Sequence, residues 1–274
     1  MDRPRASPRG GRSRGDLPRP GRRRRARLVI VLAVARKELA LYFGSLLFYA
    51  LAAVFLVLAG YRFYTNLGFF VLMGGTDLAR GLWQYQLLDV EGLLLVLVPL
   101  LTMRLFAEER KLGTLELLWT YPVRDAEIVV GKFVACLAVV VVLVAATAVH
   151  PAMVARLYVV RPGPLLAGYA GLVLLGAAFV GCGLFVSALT ESQLVAAAAT
   201  YGILFFFWMV TWNEAAVSET ALRLLVPFSL FDRFYPFARG AIDTRDVAYL
   251  GLFTVTCLAF TLFALDTRRW RGLR

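Results

Sequence analysis

The sequence predicts an all-α, polytopic membrane protein with six transmembrane helices. Three observations predict it. Of 274 residues, 60% are hydrophobic and 18% are charged, against about 25% charged in ordinary soluble domains. Such a chain cannot cover a water-facing surface with polar groups, which sets water-soluble enzyme classes aside. Uncharged runs fill 39–61, 133–155, 162–190, 192–213 and 247–265. Each is about as long as a helix needs to cross a hydrocarbon core of about 30 Å. The net charge is +12, and its basic excess is concentrated at the N-terminal end.

Residues 1–27 are rich in Arg, Pro and Gly and are expected to be a disordered basic arm. Between them, residues 1–37 hold 13 of the 30 basic residues and two acidic ones. Such an arm could bind nucleic acid. Lying before a first span, it reads instead as a cytoplasmic tail against anionic membrane lipids, with no nucleic-acid partner. Arg22–Arg27 followed by Leu28–Ala35 imitates a signal peptide, but Arg36, Lys37 and Glu38 interrupt it after eight residues. The segment is read as retained.

Residues 28–42 place Leu28, Val31, Leu32, Ala35 and Leu39 at helical spacing, with Arg36, Lys37 and Glu38 on other faces. This predicts an amphipathic helix along the membrane interface. A plain extension of the first span is the alternative. The expected spans are 43–64, 87–106, 129–151, 165–188, 193–212 and 247–265, within one transmembrane domain over 28–270. Arg62 is placed to snorkel to the far interface. Residues 65–86 are read as an apolar surface connection, and 107–128 as a polar cytoplasmic one. The second span is the least clean, with Pro99 set to kink it. Thr190, Glu191 and Ser192 alone separate the fourth and fifth spans, which predicts a tight hairpin. Small residues such as Ala177, Gly181, Gly183 and Ser187 let helices approach closely there.

Counting Lys and Arg places 22 on one side and eight on the other, so both termini are expected in the cytoplasm, including the basic tail at 271–274. Cys136, Cys182 and Cys257 lie far apart inside apolar runs and read as small buried hydrophobes, with no metal-ligand spacing. His150, the single histidine, reads as an interfacial hydrogen-bonding residue beside Pro151. Asp89 and Glu91 diverge on a helix and read as interface markers, not an acid–base pair. No catalytic, cofactor or metal residues are assigned.

The most informative segment is AEERKLGTLELLWTYPVRDAEIVVGK, residues 107–132. Glu108, Glu109, Arg110 and Lys111 lift the chain out of lipid. Residues 114–119 then predict a short helix with an apolar side, stopped at Tyr121–Pro122. Asp125 is placed to cap the third span. The apolar side has no core of its own, so it lies on the membrane surface or in a groove of another protein.

This segment resembles the connection between the second and third spans of type-2 ABC transporter permeases. The family pattern falls on Glu109, Gly113, Thr114, Leu115, Glu116, Leu117, Leu118, Thr120, Pro122 and Val123. Trp119 and Tyr121 depart from it, being more aromatic than is usual. The Arg36-Lys37-Glu38 helix resembles the family's elbow. Residues 227–250 are similar to the last outer segment of the gliding-motility and copper-enzyme-maturation branch. The resemblance implies a membrane subunit, probing no chemistry itself, that couples a separate ATP-binding subunit to translocation, in the sense of an exporter. It also implies a second permease subunit, a coupling helix within 107–128, and a re-entrant segment within 213–246, where Ala221–Val226 and Leu230–Phe237 are apolar pieces broken by Pro227 and Pro236. On it, the interface to the ATPase is expected on Glu108, Glu109, Gly113, Thr114, Leu115, Glu116, Leu118, Trp119, Pro122, Arg124 and Asp125. The sequence carries no GxxxxGK[ST] phosphate loop. A non-transporting anchor or force-transmitting subunit is the alternative. A membrane-embedded enzyme and an ion-coupled carrier fit worse: no HExxH or GxSxG occurs, and span centres are almost free of charge.

Overall fold

A computed structural model describes residues 20–72, 81–113, 124–156, 162–209 and 228–271, with side chains described from 27 to 267. The described residues are helical, with no strand among them. In chain order the helices are α1 (Pro20–Phe43), α2 (Leu46–Leu72), α3 (Gly81–Thr102), α4 (Ala107–Lys111), α5 (Asp125–Ala146), α6 (Val149–Val154), α7 (Pro162–Leu189), α8 (Gln193–Met209), α9 (Leu230–Ala238) and α10 (Thr244–Arg271). Among the described residues, five stretches are long and apolar enough to cross a membrane: Leu46–Leu72, Gly81–Lys111, Asp125–Val154, Pro162–Leu189 and Thr244–Thr267. The apolar helix Gln193–Met209 is shorter.

α7 is the hub of the bundle. It packs against α3, α5, α8, α9 and α10. Its glycines explain how so many helices reach it. A Cβ at Gly176 would lie 2.9 Å from Val140, and at Gly171 it would overlap Phe237. At Gly183 it would overlap Thr102. The small-residue run therefore serves packing within the chain. α2 is the opposite case. Leu46, Val54, Val57, Tyr61, Tyr64 and Leu72 are all exposed on it, an apolar surface that suits lipid and not water.

Several boundaries differ from the sequence expectation, each for a local reason. α1 begins at Pro20, inside the stretch expected to be a disordered arm. It ends at Phe43, and the Gly44–Ser45 break separates it from α2, so it does not simply extend the first span. It lies along α5 instead, where Gly131 admits Val34 and Val31. The expected surface connection 65–86 is helical over 65–72 and 81–86. Its aromatic residues explain this: Phe63, Leu82 and Trp83 form a small core with Leu67 and Phe70. Pro99 lies inside α3, which stops one turn later at Thr102. The chain then turns through 103–106 and resumes as α4. The third span starts at Asp125, four residues early, and breaks at Thr147–Ala148 before α6. α9 runs through Pro236, capped at its start by Ser229, whose hydroxyl accepts the Asp232 N–H at 3.2 Å. Its apolar face (Leu230, Phe234 and Phe237) is fully buried. The piece Ala221–Val226 and the residues 272–274 lie outside the described residues.

Candidate functional site

One end of the bundle holds a cluster of charges around Lys132. This lysine sits in the second turn of α5 and is 1% exposed. A buried ammonium is costly unless paired and hydrogen-bonded. Here it is both. Nζ donates to Glu38 Oε1 at 2.7 Å and to the Leu105 carbonyl at 2.7 Å. It lies 3.0 Å from Glu109 Oε1 and 5.2 Å from the Phe106 ring centroid. Lys37 joins from the surface, donating to Glu109 Oε1 at 3.1 Å. Partial burial opposes the charged form of Lys37, but the Glu109 carboxylate outweighs it and raises the amine above its ordinary value.

These contacts tie together α1, α4 and α5. Glu38 and Lys37 come from α1, Glu109 from α4, Lys132 from α5. Glu38 was expected on a solvent-facing side of α1 with Arg36 and Lys37. It is instead 5% exposed, on the face with Ala35 and Tyr42. Positions 35, 38 and 42 share one side of a helix, and that side lies against the protein. Arg36 is exposed. Tyr42 completes the seam, its hydroxyl donating to the Leu101 carbonyl at 2.8 Å. Burial holds this phenol well above its ordinary titration range, so it stays a donor.

The turn between α3 and α4 is fixed by Ser187 of α7. Its hydroxyl oxygen accepts the backbone N–H of Phe106 at 3.1 Å and of Ala107 at 3.2 Å, and donates to the Met103 carbonyl at 3.2 Å. One hydroxyl thus satisfies three backbone groups that the interrupted helix leaves open. Arg110 of α4 donates to the Ala188 carbonyl at 2.6 Å, at the end of α7. Arg104 pairs with Glu108 (2.8 and 3.2 Å) and donates to Ser45 at 3.0 Å. Gly113 ends α4 in the left-handed region, with φ 69°, the conformation glycine adopts without strain.

Of the residues expected at the ATPase interface, Glu108, Glu109 and Gly113 therefore fall on or just after α4, and Arg124 and Asp125 at the start of α5. Thr114, Leu115, Glu116, Leu118, Trp119 and Pro122 lie outside the described residues. Asp125 does not cap α5. Arg124 holds the cap position and the Glu127 carboxylate accepts its N–H at 3.3 Å. Asp125 is the first helical residue, where its charge still suits the helix dipole. Lys132 was overlooked as a site residue. Its signal was available: a lone lysine one turn into an apolar run.

The other end of the bundle is polar in a different way. Arg62 pairs with Asp89 at 2.8 Å, and Asn66 donates to the same carboxylate at 2.6 Å. Glu91, expected to mark the interface, is fully buried. The Trp208 indole and the Asp232 carboxyl face it. The reason is rotation along the helix: two residues on from Asp89, it points away from the edge and into the bundle. His150 is 8% exposed, stacked on Phe63 with centroids 4.7 Å apart and 3.4 Å from Gln86. Neither end gathers three or more metal-ligating side chains among the described residues.

Residues 32–268 match the model of the ABC-2 family transporter proteins. The chain belongs to the ABC-2 family. The match runs from α1 to the last turns of α10, so the whole described bundle is the family's membrane component, with multiple membrane-spanning helices. A search of curated proteins finds no match.

Proposed function

We propose that this ABC-2 protein is the permease subunit of an ATP-driven exporter, crossing the membrane six times with both termini in the cytoplasm. α8 makes the fifth crossing in chain order, in addition to the five long stretches. Only Thr190, Glu191 and Ser192 separate it from α7, and Trp208, near its end, lies against Phe231 of α9 at a centroid distance of 6.0 Å. Seventeen helical residues span about 26 Å. A separate ATP-binding subunit docks on the segment 107–128, and a second permease subunit completes the pathway. Within the family, the resemblance of residues 227–250 supports the gliding-motility and copper-enzyme-maturation branch.

One observation carries this reading. The segment 114–123 is bracketed by two residues, Glu109 before it and Lys132 after it, that meet at 3.0 Å and both engage α1. A push on the bracketed segment would therefore reach α1, α4 and α5 together. Nucleotide-driven closure of a partner could bias the bundle between two arrangements by that route. Leu115, Leu118 and Trp119 are the proposed apolar anchors, with Glu108, Glu109, Arg124 and Asp125 as the charged rim.

The test is co-purification. Glu116→Lys or Leu118→Asp should abolish capture of the ATPase while insertion into the membrane stays normal. Capture at the wild-type level by both variants would overturn the proposal.

A further inference from the structure

Beside the Lys132 cluster, a cavity of about 310 Å³ opens between α1, the start of α2 and the end of α3. Its lining is apolar at Leu47, Leu51 and Leu100, and charged where it meets the Lys132 cluster. Ligand cavities run from about 300 to 1,000 Å³, so this one admits a headgroup and the first part of a chain. Leu47 is 43% exposed at its edge, and α2 beyond it presents apolar side chains outward. The cavity thus continues into the surface that suits lipid.

The charged part of the lining decides the headgroup. Lys37, Arg104 and Lys132 face Glu38, Glu108 and Glu109, three charges of each sign. An anionic headgroup gains nothing net from that balance. A group carrying both signs can use it. Arg104 has five N–H donors, of which three are committed, two to Glu108 and one to Ser45. Two remain for phosphate oxygens. Glu108 is 35% exposed and accepts two hydrogen bonds, both from Arg104. A carboxylate has about four acceptor positions, so it can also take N–H donors from an ammonium. The exposed Arg104–Glu108 pair is weak enough to share its partners.

We infer that this cavity binds the headgroup and one chain root of a phospholipid bearing a phosphodiester and a primary ammonium, as in phosphatidylethanolamine. The phosphate lies at Arg104 and Lys37, the ammonium at Glu108, and the chain passes Leu47 and Leu51 into the bilayer along α2. The leaflet rests on the proposed orientation, which makes it the inner one; the chemistry of the site does not.

The full-length chain without any ATPase, so that failure of the coupling reading leaves the result intact, is placed in nanodiscs of equimolar phosphatidylethanolamine, phosphatidylcholine and phosphatidylglycerol and examined by native mass spectrometry. One phosphatidylethanolamine should be retained per chain in preference to the other two. Arg104→Gln should weaken retention about tenfold, the loss of one charge-assisted contact. Leu47→Trp, an exposed position that fills the mouth without touching the core, should do the same while elution and thermal midpoint stay at wild-type values. Equal retention of phosphatidylglycerol or phosphatidylcholine would overturn the headgroup assignment. No retained lipid, or retention unchanged in both variants, would overturn the site.

Discussion

Lys132 and Glu38 stand 94 positions apart in the chain and 2.7 Å apart in space. They join α1 to the base of α5, with Glu109 of α4 as third partner at 3.0 Å. Pairs buried this far add little net stability, because desolvation offsets the attraction. Removing one member is another matter. Lys132→Met leaves Glu38 and Glu109 with only the solvent-exposed Lys37 for a cation, 3.9 Å from Glu38, and should cost about 3–5 kcal/mol. Lys132→Met combined with Glu38→Gln should recover part of that. Thermal unfolding of the detergent-purified wild type and the two variants checks it: a double variant no more stable than Lys132→Met would mean the pair is not coupled.

Close packing on α7 gives a second prediction with its own control. A side chain at Gly183 would overlap Thr102, whereas Gly202 of α8 has nothing within 4 Å. Gly183→Ala should therefore destabilise by about 1–3 kcal/mol, the usual cost of overpacking. Gly202→Ala should be neutral or slightly stabilising, since alanine favours helix over glycine by about 1 kcal/mol. Equal thermal midpoints for the two variants would show that α3 and α7 are not packed this closely.

Ser187 makes the turn between α3 and α4 possible, so Ser187→Ala should loosen it. Two buried N–H groups, of Phe106 and Ala107, would lose their acceptor. Each unmade bond of this kind costs about 1–3 kcal/mol. Hydrogen exchange should rise at 103–107 before it rises in the middle of α3. Uniform exchange along α3 would argue that the turn is held by something other than this hydroxyl.

The helical, membrane-spanning character was legible in the sequence because uncharged length dominates composition, and burying a backbone in hydrocarbon requires helices. The motif over Glu109–Val123 carried the family, which the match over 32–268 now establishes. What escaped were pairings between distant residues. Glu38 reads as one of three interfacial charges because its partner lies on another helix, and no periodicity shows that Lys132 will meet it. Helix ends shifted for a related reason: α2 and α3 extend toward each other because Phe63, Leu82 and Trp83 pack across the gap, a tertiary effect on segments that read locally as a connection. Asp125 lost the cap because Glu127, two residues on, reaches the Arg124 N–H itself.

Glu91 gives a fourth prediction. It is fully buried and Asp232 faces it from α9. Asp232 itself is half-buried, and two carboxyl groups near one another repel when both are charged. Glu91→Gln keeps the shape, removes that repulsion and offers an N–H to Asp232. Its thermal midpoint should equal or exceed that of the wild type. Glu91→Ala should fall by about 1–3 kcal/mol through the void it leaves. A Gln variant as unstable as the Ala variant would show that the carboxylate itself is required there.

The last prediction concerns the number of crossings. If α8 crosses the membrane, then α9 and the start of α10 share the side of the Arg62–Asp89 pair, and α10 returns to the side of Lys132. Arg233 of α9 pairs with Asp246 of α10 at 2.9 Å, so these two segments lie at one end of the bundle in any case. A reporter fused after Asp266 should then read cytoplasmic, as should one placed within the N-terminal arm. A cysteine replacing Asp243, on the exposed link before α10, should react with a membrane-impermeant maleimide added outside intact cells. Reporter activity outside after Asp266, together with cytoplasmic protection at 243, would place α8 on one side of the membrane and leave five crossings.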